Sequence, residues 1–236
     1  MNKKGRFAEV AEGYNNLKLA IPHYNKIQRT TGKLLISNLK NSFPEKDYFL
    51  ILEMGFGTGE TTKQILVMAD KAGVKIRIIA IDDEIEMLRV AKKKIKDYRA
   101  SFILAEANEF ITGQSQKYHG VVSGFMLHNL EKEQRADIIN KSLQVLDPGG
   151  IFVNTDKIAQ DDFIAHLKDL DKQLRAFDVF RDENDKYWAY WYKHYLDDDE
   201  LKMTESELES LLKPRCRKVE FVERHVMDEI CLAVRS

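Results

Sequence analysis

Cysteine is scarce: two residues, Cys216 and Cys231, in 236. They lack metal-ligand spacing, and both lie in late apolar stretches. Buried free thiols are therefore expected, and a disulfide is not. Proline numbers four and tryptophan two, so no proline-rich linker is present. Charge of one sign is also lacking, with 37 basic against 38 acidic residues. That balance gives no general attraction to nucleic acid or to an anionic membrane, so neither is expected as a partner. No run approaches the ~20 apolar residues of a membrane span. The first ten residues, MNKKGRFAEV, lack the apolar core of a secretory signal, so the expected location is cytoplasmic. No clustered ligands predict a metal.

What is present begins with FLILEMGFGTGETT, residues 49–62. The apolar run from Phe49 to Leu52 reads as a strand buried on both faces. Gly55, Gly57 and Gly59 follow, and glycines there let the backbone turn tightly and approach a ligand. The spacing is G-x-G-x-G, with Glu60 where a dinucleotide fingerprint needs its last glycine. Glu53 precedes the first glycine.

From there strands and helices alternate. A helix is expected over 60–72, a strand over 75–82, and a helix over 84–98. A strand follows at 101–106, and a fourth lies within 118–127. Then come a helix at 131–146, a turn at 147–150 and a strand at 151–156. Such alternation predicts a parallel sheet with right-handed crossovers. Residues 1–47 read as a helical cap with aromatic punctuation at Phe7, Tyr14, Tyr24 and Phe43. Residues 48–156 read as the ligand-binding core. Residues 157–200 break the rhythm and gather Phe177, Phe180, Tyr187, Trp188, Tyr190, Trp191, Tyr192 and Tyr195. They are expected to cap the ligand crevice and shape its acceptor side; packing against the sheet or a second subunit is the alternative. Within 201–236, Thr204 and Glu207 predict a capping box for a helix over 204–212. A closing hairpin follows. All four segments are expected to make one domain.

In an open parallel sheet, ligands bind beyond the carboxyl ends of the strands. Asp82, ending the second strand, could accept both hydroxyls of a ribose diol. Glu106 with the amide of Ala107 could read an adenine edge. His128 and Asp156 are the candidates for removing a proton from an acceptor. His23 and His194 are weaker candidates.

Taken together, E-x-G-x-G-x-G at 53–59, IIAIDDEIEML, ILAEA, VVSGFMLHNL and LQVLDPGGIFVNTD resemble the successive motifs of class I S-adenosylmethionine-dependent methyltransferases. Within that superfamily, LAIPHYNKI at 19–27 is similar to the carboxy-S-adenosylmethionine synthase group of tRNA wobble modification. The resemblance implies a Rossmann-like fold with a mostly parallel seven-stranded sheet, a C-terminal antiparallel hairpin and helices on both faces. It implies S-adenosylmethionine as cofactor and S-adenosylhomocysteine as product. It also implies cofactor contacts at Tyr14, Tyr24, Glu53, Gly55, Gly57, Gly59, Asp82, Asp83, Glu106, Ala107 and Gly124. Two departures weigh against the carboxylated cofactor. Gly124 stands where that group has an asparagine, and His194 and Tyr195 stand near its carboxylate-holding arginine. Methyl transfer to a small-molecule acceptor is therefore the expected function, with the carboxy-cofactor synthase as the alternative. A nicotinamide oxidoreductase and a non-catalytic binder are weaker readings, and a homodimer is left open.

Overall fold

The computed structural model describes residues 10–11, 14–181, 185–197 and 202–236. Phe7 of the expected helical cap and the segment boundary at 200/201 lie outside the described residues. Among the described residues, no helix is long and apolar enough to cross a membrane.

After a 3₁₀ turn at Tyr14–Leu19, the elements run α1 (Tyr24–Ser42), β1 (Tyr48–Met54), α2 (Glu60–Ala72), β2 (Lys75–Asp82), α3 (Ile85–Lys94), β3 (Ala100–Leu104), α4 (Ala107–Thr112) and β4 (Tyr118–Gly124). Next come α5 (Lys132–Val145), β5 (Leu146–Ala159), α6 (Phe163–Ala176), α7 (Asp185–Asp197), β6 (Met203–Thr204), α8 (Glu205–Leu212), β7 (Cys216–His225) and β8 (Asp228–Arg235). Seven strands pair in the order β3-β2-β1-β4-β5-β8-β7, and the two-residue β6 adds to β5. The pairs from β3 to β5 are parallel. β8 runs antiparallel to β5 and to β7.

Apolar alternation decides which helix covers which face. Ile51, Ile78, Val122 and Val153 point toward α1, α2 and α3, where they meet Ile27, Leu35, Ile65 and Ala91. Leu52, Ile81, Val121 and Phe152 point the other way, onto Ile111, Ile138, Leu143 and Leu208 of α4, α5 and α8. Helices thus cover both faces, as the strand–helix rhythm requires.

Local chemistry explains where the boundaries differ from expectation. Helix α2 stops at Gly73, whose φ of 65° returns the chain amide to Ala69 and Asp70. Helix α3 ends four residues early because the Asp97 carboxylate accepts the Arg99 amide at 2.9 Å and holds a turn in competition with the helix. The third strand ends before Glu106, which opens the short helix α4, an element absent from the sequence reading. The 147–150 turn is absorbed into β5, where pairing with β4 shifts register between Tyr118 and Gly120. Strand β5 then runs on to Ala159 instead of stopping at Asp156. Half of the expected capping box forms: Thr204 accepts the Glu207 amide at 3.2 Å, but the Glu207 carboxylate takes Arg135 and Lys132 instead. Both cysteines are buried and unbridged, as expected.

Candidate active site

The turn after β1 is built for glycine. Gly55, Gly57 and Gly59 have φ of 70°, 51° and 82°, a region in which side chains are strained. A Cβ on Gly55 would stand 2.6 Å from Met126, and one on Gly59 would stand 2.7 Å from Ile95. Gly57 differs, because nothing lies within 4 Å of a Cβ there. Its residue borders a pocket of about 270 Å³ that opens to solvent. One wall is the turn itself. Tyr14, Tyr24 and Phe125 supply the other, with Gly124 and Thr61 between. Phe125 has φ of 54° although it carries a side chain. Its amide donates to Thr155 O at 2.7 Å, and its ring stacks on Tyr24 at 5.8 Å. Backbone strain of this kind persists where surrounding structure fixes it, often beside a ligand site.

The carboxylates around this turn have separate environments. Asp82 Oδ2 accepts the Gly57 amide at 2.8 Å, and Oδ1 accepts the Glu84 amide at 3.0 Å. Burial pushes the Asp82 carboxyl up to about 6, against the lowering effect of those two amides. Asp83 next to it is exposed. Glu53 is fully buried under the turn; Oε2 accepts Thr62 Oγ1 at 2.6 Å, and Oε1 has no partner among the described residues. Burial raises its carboxyl to about 8, so the neutral acid prevails at neutral pH. Glu53 therefore holds the turn from beneath and does not line the pocket. Glu106 is spent locally: its oxygens accept the amides of Asn108 and Glu109 at 3.0 and 2.8 Å, capping α4. The Ala107 amide, at the first helical position, has no acceptor inside the helix.

His128 and Asp156, two separate candidates in the sequence, meet each other away from the pocket wall. Asp156 Oδ2 accepts the His128 amide at 3.2 Å, and Oδ1 pairs with the ring Nδ1 at 2.5 Å. Only 3% of His128 and none of Asp156 is exposed. Burial pushes the Asp156 carboxyl up to about 7, against the Lys157 amide and ammonium. The buried Lys157 reaches His194 Nε2 at 3.1 Å, and the His194 ring stands 5.7 Å from that of His128. On the far side, His23 Nε2 pairs with Asp228 Oδ2 at 2.8 Å. Sequence reasoning missed Lys157 and Asp228. The signal was the polar run Asn154-Thr155-Asp156-Lys157 inside a strand, all four now buried.

The aromatic segment packs behind the pocket. Phe177, Phe180, Trp191 and Tyr195 form a third apolar cluster with Leu17, Tyr24 and Met227. Trp191 meets Tyr14 edge-on at 5.5 Å, so the segment supports the wall that Tyr14 and Tyr24 present.

Residues 51–150 match a family described as a methyltransferase domain. A carboxy-S-adenosyl-L-methionine synthase of Helicobacter pylori is 24% identical over 216 residues, covering 91% of this chain and 82% of that protein. One from Wolinella succinogenes is 25% identical over 223 residues, covering 92% and 82%. Among solved structures, the plantazolicin methyltransferase BpumL, in complex with a monoazolic desmethylPZN analog and SAH, aligns with a TM-score of 0.66 at 14% identity. It covers 97% of this chain and 89% of that one. The magnesium protoporphyrin IX methyltransferase of Synechocystis with bound SAM gives a TM-score of 0.54 at 13% identity, covering 89% and 79%.

Proposed function

With a methyltransferase domain over residues 51–150 as the premise, we propose that this protein transfers a methyl group from S-adenosylmethionine to a small-molecule acceptor. The observation that carries the proposal is the turn after β1. Gly57 leaves open space at the pocket while its amide is fixed on Asp82. A ligand can approach that backbone closely, and a carboxylate waits at the adjacent strand end.

The residues present fit the cofactor. Gly55, Gly57 and Gly59 would pass its amino-acid end, and Asp82, with Asp83 beside it, would accept the ribose diol. Each Asp82 oxygen spends one lone pair on an amide and keeps another. The Ala107 amide, with Glu106 behind it, would meet the adenine edge. Glu53 would set the height of the turn through Thr62. Tyr14 and Tyr24 would close the wall, and Gly124 would leave room on the acceptor side. When bound, S-adenosylmethionine supplies a sulfonium methyl that needs no further activation. The chain's work is to align the acceptor and exclude water. The Tyr24 and Phe125 rings serve the second task. His128 and Asp156, read from the sequence as candidate proton acceptors, lie off the wall, where they steady the junction of β4 and β5.

Calorimetry tests the cofactor: S-adenosylmethionine and S-adenosylhomocysteine bind, and NAD does not. The reverse result would overturn the proposal. A second reading, carboxy-cofactor synthesis, is favoured by the curated relatives, which match over 91% of the chain. Against it stand Gly124, where that group has a cofactor-contacting asparagine, and His194 and Tyr195, near the place of its carboxylate-holding arginine. Mass spectrometry of the cofactor that copurifies with the protein separates the two. A cytoplasmic location and a homodimer complete the proposal.

A further inference from the structure

Thr61 and Gln28 meet at the pocket wall. Thr61, in the first turn of α2, donates its hydroxyl to Gln28 Oε1 of α1 at 2.5 Å. Only 6% of Thr61 and 3% of Gln28 is exposed, yet both border the open pocket.

Two glycines hold this pair in place. A Cβ on Gly124 would stand 2.8 Å from Thr61 Oγ1, so glycine at the end of β4 makes room for the hydroxyl. A Cβ on Gly32 would stand 2.9 Å from the Gln64 carbonyl carbon. Glycine there lets α1 approach the backbone of α2 closely, one turn beyond the pair. Tyr24, one turn before Gln28 on α1, borders the same pocket, and its ring stacks on Phe125 at 5.8 Å.

The hydrogen bond also fixes what each group can still offer. A hydroxyl has one proton, and that of Thr61 is spent on Gln28. Thr61 Oγ1 therefore meets a ligand as an acceptor. Gln28 Oε1 is spent in return, and the amide nitrogen beside it carries two N–H donors. Glu60, which also borders the pocket, is paired with Lys94, so its charge is already met. An uncharged acceptor and donor side by side complement an ammonium and a carboxylate carried on one carbon.

Strand order decides which end of the cofactor lies here. The sheet runs β3-β2-β1-β4. With adenine at the start of α4 after β3, and the ribose at Asp82 after β2, the remaining end crosses the β1 turn toward Gly124 and Thr61. We propose that Thr61 and Gln28 bind the amino-acid end of S-adenosylmethionine, Thr61 Oγ1 accepting from its ammonium and Gln28 Nε2 donating to its carboxylate. This rests on the methyltransferase reading.

The test uses the full chain in calorimetry with two ligands, S-adenosylhomocysteine and methylthioadenosine, which keeps the nucleoside and the sulfur but lacks the amino acid. Thr61→Val and Gln28→Met each weaken S-adenosylhomocysteine about tenfold or more. Methylthioadenosine binds the wild type and both variants alike. Thr61→Ser, which keeps the hydroxyl, holds the wild-type affinity for both ligands. Unchanged S-adenosylhomocysteine affinity in either variant, or an equal loss of both ligands, would overturn the assignment. Should one variant fail to fold, the other decides. A wild type that binds both ligands equally tightly would overturn the assignment alone. A wild type that binds neither would overturn the methyltransferase reading as well.

Discussion

His128 gives both its backbone amide and its ring to one carboxylate, Asp156, so the end of β4 is pinned to β5 by a single buried side chain. Replacing His128 with Asn removes the ring partner and leaves a buried carboxyl less satisfied. Stability should fall by about 1–3 kcal/mol, read by urea denaturation. Affinity for S-adenosylhomocysteine should hold, because neither residue lines the pocket. Loss of turnover with stability intact would place the pair in the chemistry instead.

Glu53 sets a pH dependence. Its carboxyl is raised from 4.5 to about 8 in the folded protein, so the folded state binds more protons than the unfolded state between those values. Stability from this group is therefore greatest at low pH and is lost as pH rises through that window. Glu53→Gln, which stays neutral, should flatten the difference between denaturation curves at about pH 5 and about pH 8. Identical pH dependence in both proteins would show that Glu53 is ionised when folded.

The glycines of the turn should separate by function. Gly55→Ala drives a methyl into Met126 at 2.6 Å on top of its backbone strain. It should lower stability by more than the ~1 kcal/mol of strain alone. Gly57→Ala has free space and carries only the strain, but its methyl points into the pocket region. Thermal melts should show the larger loss for Gly55, and calorimetry the cleaner loss of cofactor affinity for Gly57. The opposite ranking would mean that the turn does not face the ligand.

Asp82→Ala removes the proposed ribose acceptor and the partner of the Gly57 amide. Cofactor affinity should weaken by about 1.5–3 kcal/mol, the scale of a hydrogen bond to a charged group. Unchanged affinity with intact circular dichroism would take Asp82 out of the site.

Trp191→Ala should cost about 3–5 kcal/mol as a core truncation and should also weaken the cofactor, because Tyr14 loses the ring it leans on. A stability loss with cofactor affinity intact would mean that Tyr14 holds its place unaided.

Much of this was legible in the chain. Apolar runs ending in glycine or aspartate gave β1, α2 and β2 their limits, because burial and chain reversal are both local there. His128 and Asp156 were legible as residues at strand ends, but their meeting needed the pairing of β4 with β5. What was hidden depends on distant register. Lys157 lies opposite Asp228 only because of how β8 aligns on β5, and no local pattern encodes that offset. Glu106 was read as a ligand contact, yet its carboxylate first serves two amides of its own helix. Glu207 likewise left its expected cap for Arg135, a residue on another helix. In each case a charged side chain had two chemically sound partners, and the tertiary fold chose between them.

Strand β5 has one further consequence, for biosynthesis. It is flanked by β4 from Ile151 to Thr155 on one side and by β8 from Ile151 to Lys157 on the other. A nascent chain leaving the ribosome can complete β1 through β5 well before residues 228–235 are made. Until then, the outer edge of β5 is an open row of unpaired backbone N–H and C=O groups, the kind that recruits stray strands. The growing polypeptide is thus most prone to sticking in the interval between synthesis of β5 and synthesis of β8. Ribosome-stalled chains halted between about 160 and 227 should engage chaperones more than chains halted on either side.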